Sequence, residues 1–468
     1  MKKNMNKSAI FPFKIQDPPV IVVFGITGDL SRRKLLPALY HLMRHGVLPA
    51  NTVIIGVSRK SLTSEDLLKE VELCVLEKDK VCDPDGLKKV KTALQSFQLN
   101  PDNPKDFEKL KAFLDNLDGQ TKRHRLIYMS TPSDAYSVIV EKLGAHHIND
   151  SRTKLLLEKP FGHDIDSATE LIKTVDKGFK EDQIYRIDHY LAKETAQNLL
   201  AFRMHNPIFQ SLWDDKHIHQ VNIRAFEEIG IEGRADFYEK TGALRDLVQS
   251  HLLQLLCITL MDTPEVLDSQ HIHKNKQEFL KNIEPADPSK AVRGQYNSYK
   301  DEINNPGSFI ETYAKIELKH KSTKWKNTKI VLETGKGLSQ KNTEIVIEFK
   351  TPHEEIRNKL IFKLQPSEGI HLDLAIKEPG FETLMKHAEL YFEYKNSFGE
   401  QMNVDAYERV LVDALRNDQS LFASDEEVLE TWKILDPVLK QWQKNNQGLV
   451  IYKKGMGAEN IIEGDKIS

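Results

Sequence analysis

The chain has 468 residues and a formal net charge of -3, from 66 Lys+Arg against 69 Asp+Glu, with 40% hydrophobic residues. That length suggests roughly two to three domains with a sizeable core, and the near balance of charge leaves no global basic field to hold nucleic acid or an anionic membrane. Cys74, Cys82 and Cys257 form no CxxC pair, which argues against a disulfide framework and against a cysteine zinc site.

The N-terminal segment Met1–Phe13 carries Lys2, Lys3 and Lys7 but no apolar run, so it does not read as a secretory signal. The most apolar later run, Leu252–Met261, is broken by Gln254 and is too short to span a bilayer. A cytoplasmic location is the resulting expectation.

In chain order, Val20–Phe24 is a continuous, β-branched run ending at Gly25, the pattern of a buried parallel strand. Leu35, Leu39 and Leu42 then recur at helical spacing up to Gly46, with Pro37 predicting a kink or a later helix start. Thr52–Val57, Leu126–Met129 and Leu155–Leu157 read as further buried strands. Strands alternating with helices imply a doubly wound, Rossmann-like α/β domain. Asp164–Lys180 reads as a helix leading into a second unit, with the boundary near Gly178. The expected domains are thus 1–178 and 179–468. Beyond about residue 310 the period changes to two. Ala314, Ile316 and Leu318 alternate with Lys315, Glu317 and Lys319, and the pattern recurs at Ile345, Ile347 and Phe349, at Leu372, Leu374 and Ile376, and at Leu390, Phe392 and Tyr394. That alternation predicts a large antiparallel sheet in an α+β domain. The stretch after Gly455 is polar and reads as loosely held.

Several places carry candidate chemistry. The first strand runs into Gly25-Ile26-Thr27-Gly28-Asp29-Leu30-Ser31, where glycines allow a tight turn and close approach of a pyrophosphate to main-chain N–H groups at a helix N-terminus. The spacing G-x-x-G-x-x-S only partly matches the usual dinucleotide fingerprint. After the second strand the chain reads Val57-Ser58-Arg59-Lys60, where NAD-binding folds place a carboxylate on the ribose 2′-hydroxyl. A guanidinium there can grip a 2′-phosphate, which favours NADP over NAD. The segment Asp182–Glu194 is dense in titratable groups, and His189, Tyr190 and Lys193 would suit a phosphate monoester if a turn or helix starts there; a solvated helix start is the plain alternative. At helical spacing His251 shares a face with Leu244, Leu247, Val248 and Leu255, and taken alone it reads as a satisfied core histidine rather than a catalytic one. Phe226-Glu227-Glu228 and Arg245-Asp246 offer carboxylates, and Thr334–Lys341 puts two lysines on a Gly-rich loop.

These pieces, in this order, resemble the glucose-6-phosphate dehydrogenase family over nearly the whole chain: Gly25–Lys34 (GITGDLSRRK), Glu158–Gly162 (EKPFG), Arg186–Glu194 (RIDHYLAKE), Gly233–His251, Gly294–Tyr296 (GQY), Thr334–Leu338 (TGKGL) and Asp405–Leu411 (DAYERVL). EKP is shared with other sugar oxidoreductases, whereas RIDHYL preceded by EDQIY is highly specific. The resemblance implies oxidation of glucose 6-phosphate to 6-phosphogluconolactone, the first step of the oxidative pentose phosphate pathway, with hydride transfer to NADP and NAD as a weaker alternative. It implies that His251 is the general base and that Asp188 pairs with it. His189, Tyr190 and Lys193 fall at the substrate phosphate, Glu228 and Asp246 at sugar hydroxyls, and Lys336 and Lys341 on the substrate side. Lys159 lies between cofactor and substrate, and its peptide to Pro160 is often cis in the family. Gly25, Thr27, Gly28, Asp29, Leu30 and Arg59 fall at the cofactor.

The chemistry is coherent on first principles: a histidine, titrating near about 6.5 when unperturbed, can accept the hydroxyl proton as hydride leaves carbon, and a carboxylate can orient it. No metal is expected. A homodimer or homotetramer packed through the large sheet is implied. The rival reading is a non-catalytic paralogue binding NADP or a sugar phosphate, whose mark would be loss of Asp188 or His251; both are present. The chain departs from the family at Ala192, where glycine is usual. That would strain the loop if the position needs a positive φ. It also departs at Ser250, at Ala235-Asp236 and at Lys341, and Glu227 and Asn342 replace the lysines of a second, structural NADP site.

Overall fold

The computed structural model describes residues 14–119, 123–351, 356–399 and 404–461. The basic N-terminal segment and the end of the polar tail lie outside them. The chain divides into two compact units, of which the first takes the chain to Gly162, Asp166–Ala192 and a returning segment that ends at Asp425.

The first unit is built on a seven-stranded sheet. Its six parallel strands are β1 (Val20–Phe24), β2 (Val53–Ser58), β3 (Leu94–Gln98), β4 (Arg125–Met129), β5 (Thr153–Leu157) and β6 (Ile184–Ile187), in the order β3-β2-β1-β4-β5-β6, and a two-residue strand, Phe422–Ala423, runs antiparallel along β6. Helices cover both faces, so every residue of β1 and β4 is buried, and their apolar runs show no alternation. The sheet extends past Gly178 because β6 pairs with β5, so the first unit continues to Ala192. The helix Ile165–Asp176 lies before β6 and connects two strands of this same sheet.

The strand order reverses at β1, which pairs β2 on one side and β4 on the other. Such a switch point leaves a crevice beyond the carboxyl ends of two neighbouring strands, and ligands bind there in open α/β sheets. The helix after β1 begins at Asp29 and widens into a π turn over Ser31–Leu35, where the Leu36 N–H donates to the Ser31 carbonyl. Pro37 follows in the first turn of the regular helix Leu36–Arg44. The expected irregularity at Pro37 thus takes the form of a widened turn before it, which accommodates a ring that can neither donate nor tolerate the carbonyl four residues back.

The second unit holds a nine-stranded sheet. Eight of its strands are β7 (Ile218–Phe226), β8 (Val292–Tyr296), β9 (Tyr313–Leu318), β10 (Lys329–Gly335), β11 (Asn342–Phe349), β12 (Lys359–Gln365), β13 (Gly369–Lys377) and β14 (Met385–Glu393), with Leu449–Tyr452 at one edge. The sheet is mixed and mostly antiparallel: β10 runs parallel to β7, and Leu449–Tyr452 parallel to β8. Alternation holds where helices cover one face, as at Ala314, Ile316 and Leu318. It does not bury the far edge, where Leu390 and Tyr391 are 60% and 65% exposed. Tyr394 lies in the short helix Tyr394–Phe398 rather than in a strand.

Candidate active site

At the switch point of the first unit the loop after β1 turns sharply. Gly25 has φ +80°, and a Cβ there would stand 2.5 Å from the Ser130 carbonyl oxygen, in the loop after β4. The two loops are tied together by Ser31, whose hydroxyl donates to the Gly25 carbonyl at 3.0 Å and shares a hydrogen bond with the Ser130 hydroxyl at 2.8 Å. Thr27 and Asp29 are exposed on the turn, with Gly28 and Leu30 half-buried between them, and Asp29 pairs with Arg33 at 2.7 Å. Arg59 is exposed at the carboxyl end of β2. A glycine turn too close for a Cβ and a helix beginning at Asp29 fit a dinucleotide.

A second constellation sits at the carboxyl ends of β4, β5 and β6. Glu158 follows β5 directly and is buried; its carboxylate accepts from the Tyr128 hydroxyl and from His189 Nε2, the latter at 3.2 Å. The His189 ring stacks on Tyr407, with centroids 4.1 Å apart. Burial pushes the Glu158 carboxyl up, but the charge and hydrogen bond of His189, the Tyr128 hydroxyl and Lys159 outweigh it, and the net direction is down. Lys159 is half-buried, and the Lys159–Pro160 peptide is cis. Asp188 is 4% exposed, and its Oδ1 accepts the Tyr190 N–H at 2.9 Å, which sets the turn that presents His189 and Tyr190. Ala192 is buried in the core of the first unit and is not among the residues with positive φ, so alanine fits there without strain. Neither Tyr128, Tyr407 nor the role of Glu158 was apparent in the sequence, although Glu158 and Tyr407 lie in the EKPFG and DAYERVL motifs.

In the second unit, Asp246 and His251 lie on a helix of unusual width. Leu244–Leu252 is a π-helix that continues as the α-helix Leu253–Leu260. In an α-helix, residues five apart are separated by about 140° around the axis; bonding to the fifth residue back closes that gap and brings positions such as 246 and 251 onto one face. The helix is held at its start by Glu311, whose Oε1 accepts the Leu244 N–H at 2.9 Å. Gly242, at φ +64°, leaves room for that carboxylate, since a Cβ there would lie 2.4 Å from Glu311 Oε1. Along its length the helix is pinned by Gln249, which donates to Thr431 Oγ1 at 2.9 Å, and by Gln254, which donates to Glu427 Oε2 at 3.1 Å. His251 is 4% exposed.

Lys336 is buried, forms an ion pair with Glu227, and lies 5.4 Å from the centre of the Tyr238 ring. Glu228, the neighbouring carboxylate assigned by resemblance, is exposed, as is Lys341. The geometry therefore favours Glu227 over Glu228 as the carboxylate beside Lys336. Lys193 is half-buried at the N-cap of the helix Glu194–His205, so a turn followed by a helix does start at this segment. Among the described residues, no group of three or more His, Cys, Asp or Glu is placed to hold a metal ion, and no helix is long and apolar enough to cross a membrane.

The fold and the glycine turn define a dinucleotide-binding oxidoreductase. Residues 22–198 match the family described as "Glucose-6-phosphate dehydrogenase, NAD binding domain", and residues 200–463 match "Glucose-6-phosphate dehydrogenase, C-terminal domain". The chain is 35% identical to the glucose-6-phosphate 1-dehydrogenase of Chlamydia muridarum, with 96% of each chain covered, and 36% identical to that of Rhizobium meliloti, with 94% of each covered. Its structure is similar to that of a glucose-6-phosphate dehydrogenase solved in complex with its substrate glucose-6-phosphate, with a TM-score of 0.89, 30% identity, and 98% and 100% of the two chains covered. The chain belongs to the glucose-6-phosphate dehydrogenase family.

Proposed function

We propose that this chain oxidises glucose 6-phosphate at C1 to 6-phosphogluconolactone with NADP as hydride acceptor. The observation that carries the reading is the unbroken match of both family domains, residues 22–198 and 200–463, over a sequence that retains Asp188 and His251. The dinucleotide, when bound, supplies the nicotinamide ring that accepts hydride. Gly25, Thr27, Gly28, Asp29 and Leu30 form its turn, Arg59 faces the 2′-phosphate, and Lys159 lies toward the substrate. His251 takes the C1 hydroxyl proton, and Asp188 orients its ring and stabilises the imidazolium. His189, Tyr190 and Lys193 hold the sugar phosphate. Glu228 and Asp246 accept from sugar hydroxyls, with Lys336 and Lys341 on the substrate side. NADP is favoured over NAD because Arg59 stands where a carboxylate would read the 2′-hydroxyl.

A homodimer or homotetramer is part of the proposal. Support comes from β13 and β14, which expose Ile376, Met385, Leu390 and Tyr391 along one sheet edge. Light scattering reads the mass, and a monomer at working concentration would remove this part. A cytoplasmic location is also proposed, supported by the cysteine usage. The testing experiment is the near-ultraviolet absorbance of reduced cofactor with purified protein, glucose 6-phosphate and NADP, with NAD alongside. Absence of turnover with both cofactors from folded protein overturns the reading.

A further inference from the structure

We propose that Glu158 is a positioning residue for the substrate phosphate, acting through His189; this rests on the assignment of His189 to the phosphate. Glu158 occupies one nitrogen of the His189 ring. An ionised carboxylate can only accept, so His189 Nε2, 3.2 Å from Glu158 Oε2, carries the hydrogen of that contact. The ring's other nitrogen, Nδ1, is buried and has no hydrogen-bond partner among the described residues. A buried polar atom left in that state is costly; to meet a phosphate oxygen, which can only accept, it must carry a hydrogen as well, and a carboxylate on the opposite nitrogen favours that form.

The carboxylate is itself over-determined. Tyr128 on β4 donates to the other carboxylate oxygen, and the Tyr136 hydroxyl donates to the Glu158 carbonyl at 3.0 Å. Tyr407, from the returning helix Ala406–Leu415, stacks against the imidazole at 4.1 Å. The ring is thus gripped on one nitrogen and one face. The logic is that of a carboxylate behind a histidine in a catalytic triad, applied to an anion rather than to a proton transfer. The carboxylate supports a donor-bearing ring and fixes its direction, and the histidine presents that ring to a phosphate dianion. The ligand chemistry is therefore phosphate monoester recognition, and unphosphorylated sugar gains nothing from this contact.

The test compares Glu158→Gln, which keeps volume and removes charge, with wild type. KM for glucose 6-phosphate and the inhibition constant of inorganic phosphate are each expected to rise by about tenfold or more, the scale of a charge-assisted hydrogen bond. Turnover number and the dissociation constant of NADP are expected to stay within about threefold. Tyr128→Phe, which removes the second bond to the same carboxylate, is expected to move the two phosphate-dependent constants in the same direction by less, and it serves as the readout if Glu158→Gln does not fold. Unchanged phosphate constants in a folded variant, while His189→Asn raises them, overturn the role of Glu158. Unchanged constants in His189→Asn as well overturn the phosphate assignment of His189 and the proposal with it. Equal weakening of NADP and of phosphate shows a general structural effect and also overturns it.

Discussion

Gly25→Ala tests whether the crevice at the β1/β4 switch point is built by backbone proximity. Two costs act at this position. At φ +80° an L side chain enters the left-handed region, at about 1–2 kcal/mol. The added Cβ would also stand 2.5 Å from the Ser130 carbonyl oxygen and 2.9 Å from its carbon. Both atoms are backbone, so the loop after β4 must retreat by about half an ångström, and forced shifts of this kind cost about 1–3 kcal/mol. The sum, about 2–5 kcal/mol, corresponds to a fall of about 4–20 °C in the melting of a unit of this size. Gly46→Ala is the internal control: φ is +69°, but nothing lies within 4 Å of its Cβ, so only the backbone cost remains, with a fall of about 2–8 °C. Because Ser31 ties the glycine turn to Ser130, the displaced loop carries the cofactor turn with it. The dissociation constant of NADP, read by fluorescence titration, is expected to rise at least tenfold in Gly25→Ala and to stay at wild type in Gly46→Ala. A Gly25→Ala protein with wild-type melting and wild-type affinity would refute the reasoning, since it would show that the two loops are not packed as described.

Further expectations concern the proton acceptor, the cofactor and a buried acid. His251→Asn should lower turnover by about 10²–10⁴-fold with glucose 6-phosphate binding retained, and steady-state rates with calorimetric binding check it. Arg59→Ala should raise KM for NADP much more than KM for NAD, and equal losses would show that Arg59 does not read the 2′-phosphate. Burial first, then the neighbouring Asp405, push the Glu408 carboxyl up to about 8 from 4.5. The folded state thus holds this proton more tightly than the unfolded chain, so the stabilisation is complete below about pH 4.5 and is lost as pH rises through about 8. Glu408→Gln should accordingly match wild type in melting temperature near pH 4.5 and exceed it progressively toward pH 8; parallel curves for the two proteins would contradict the buried-acid assignment.

Much of the first unit could be read from sequence because strands buried on both faces need uninterrupted apolar runs, and Val20–Phe24 and Leu126–Met129 have them. Two strands of the same sheet carry no such sign. β3, Leu94-Gln95-Ser96-Phe97-Gln98, is an edge strand only partly covered, so its polar residues stand in it without penalty. β6 contains Arg186, which is buried only because Glu181 meets its guanidinium at 2.6 Å and 2.9 Å; no local pattern announces such a partner.

By itself, then, the sequence determined the glycine turn, the alternation of strand and helix, and the change to period two beyond about residue 310, which follow from local composition and spacing. His189, Asp246, His251 and Lys336 stood out from their plain alternatives only through the family resemblance. Tertiary structure alone decided which of Glu227 and Glu228 meets Lys336, because adjacent residues after β7 differ in direction and the main-chain bond from the Glu227 N–H to the Gly335 carbonyl sets their order. It also decided that Leu244–Leu252 winds as a π-helix, which local spacing does not announce. Finally, it brought Tyr407 against His189 from 218 positions away, a contact that depends on the chain returning to the first unit. Spacing along a chain encodes contacts within one element; contacts between elements depend on strand register, helix width and chain return, which only the packed whole settles.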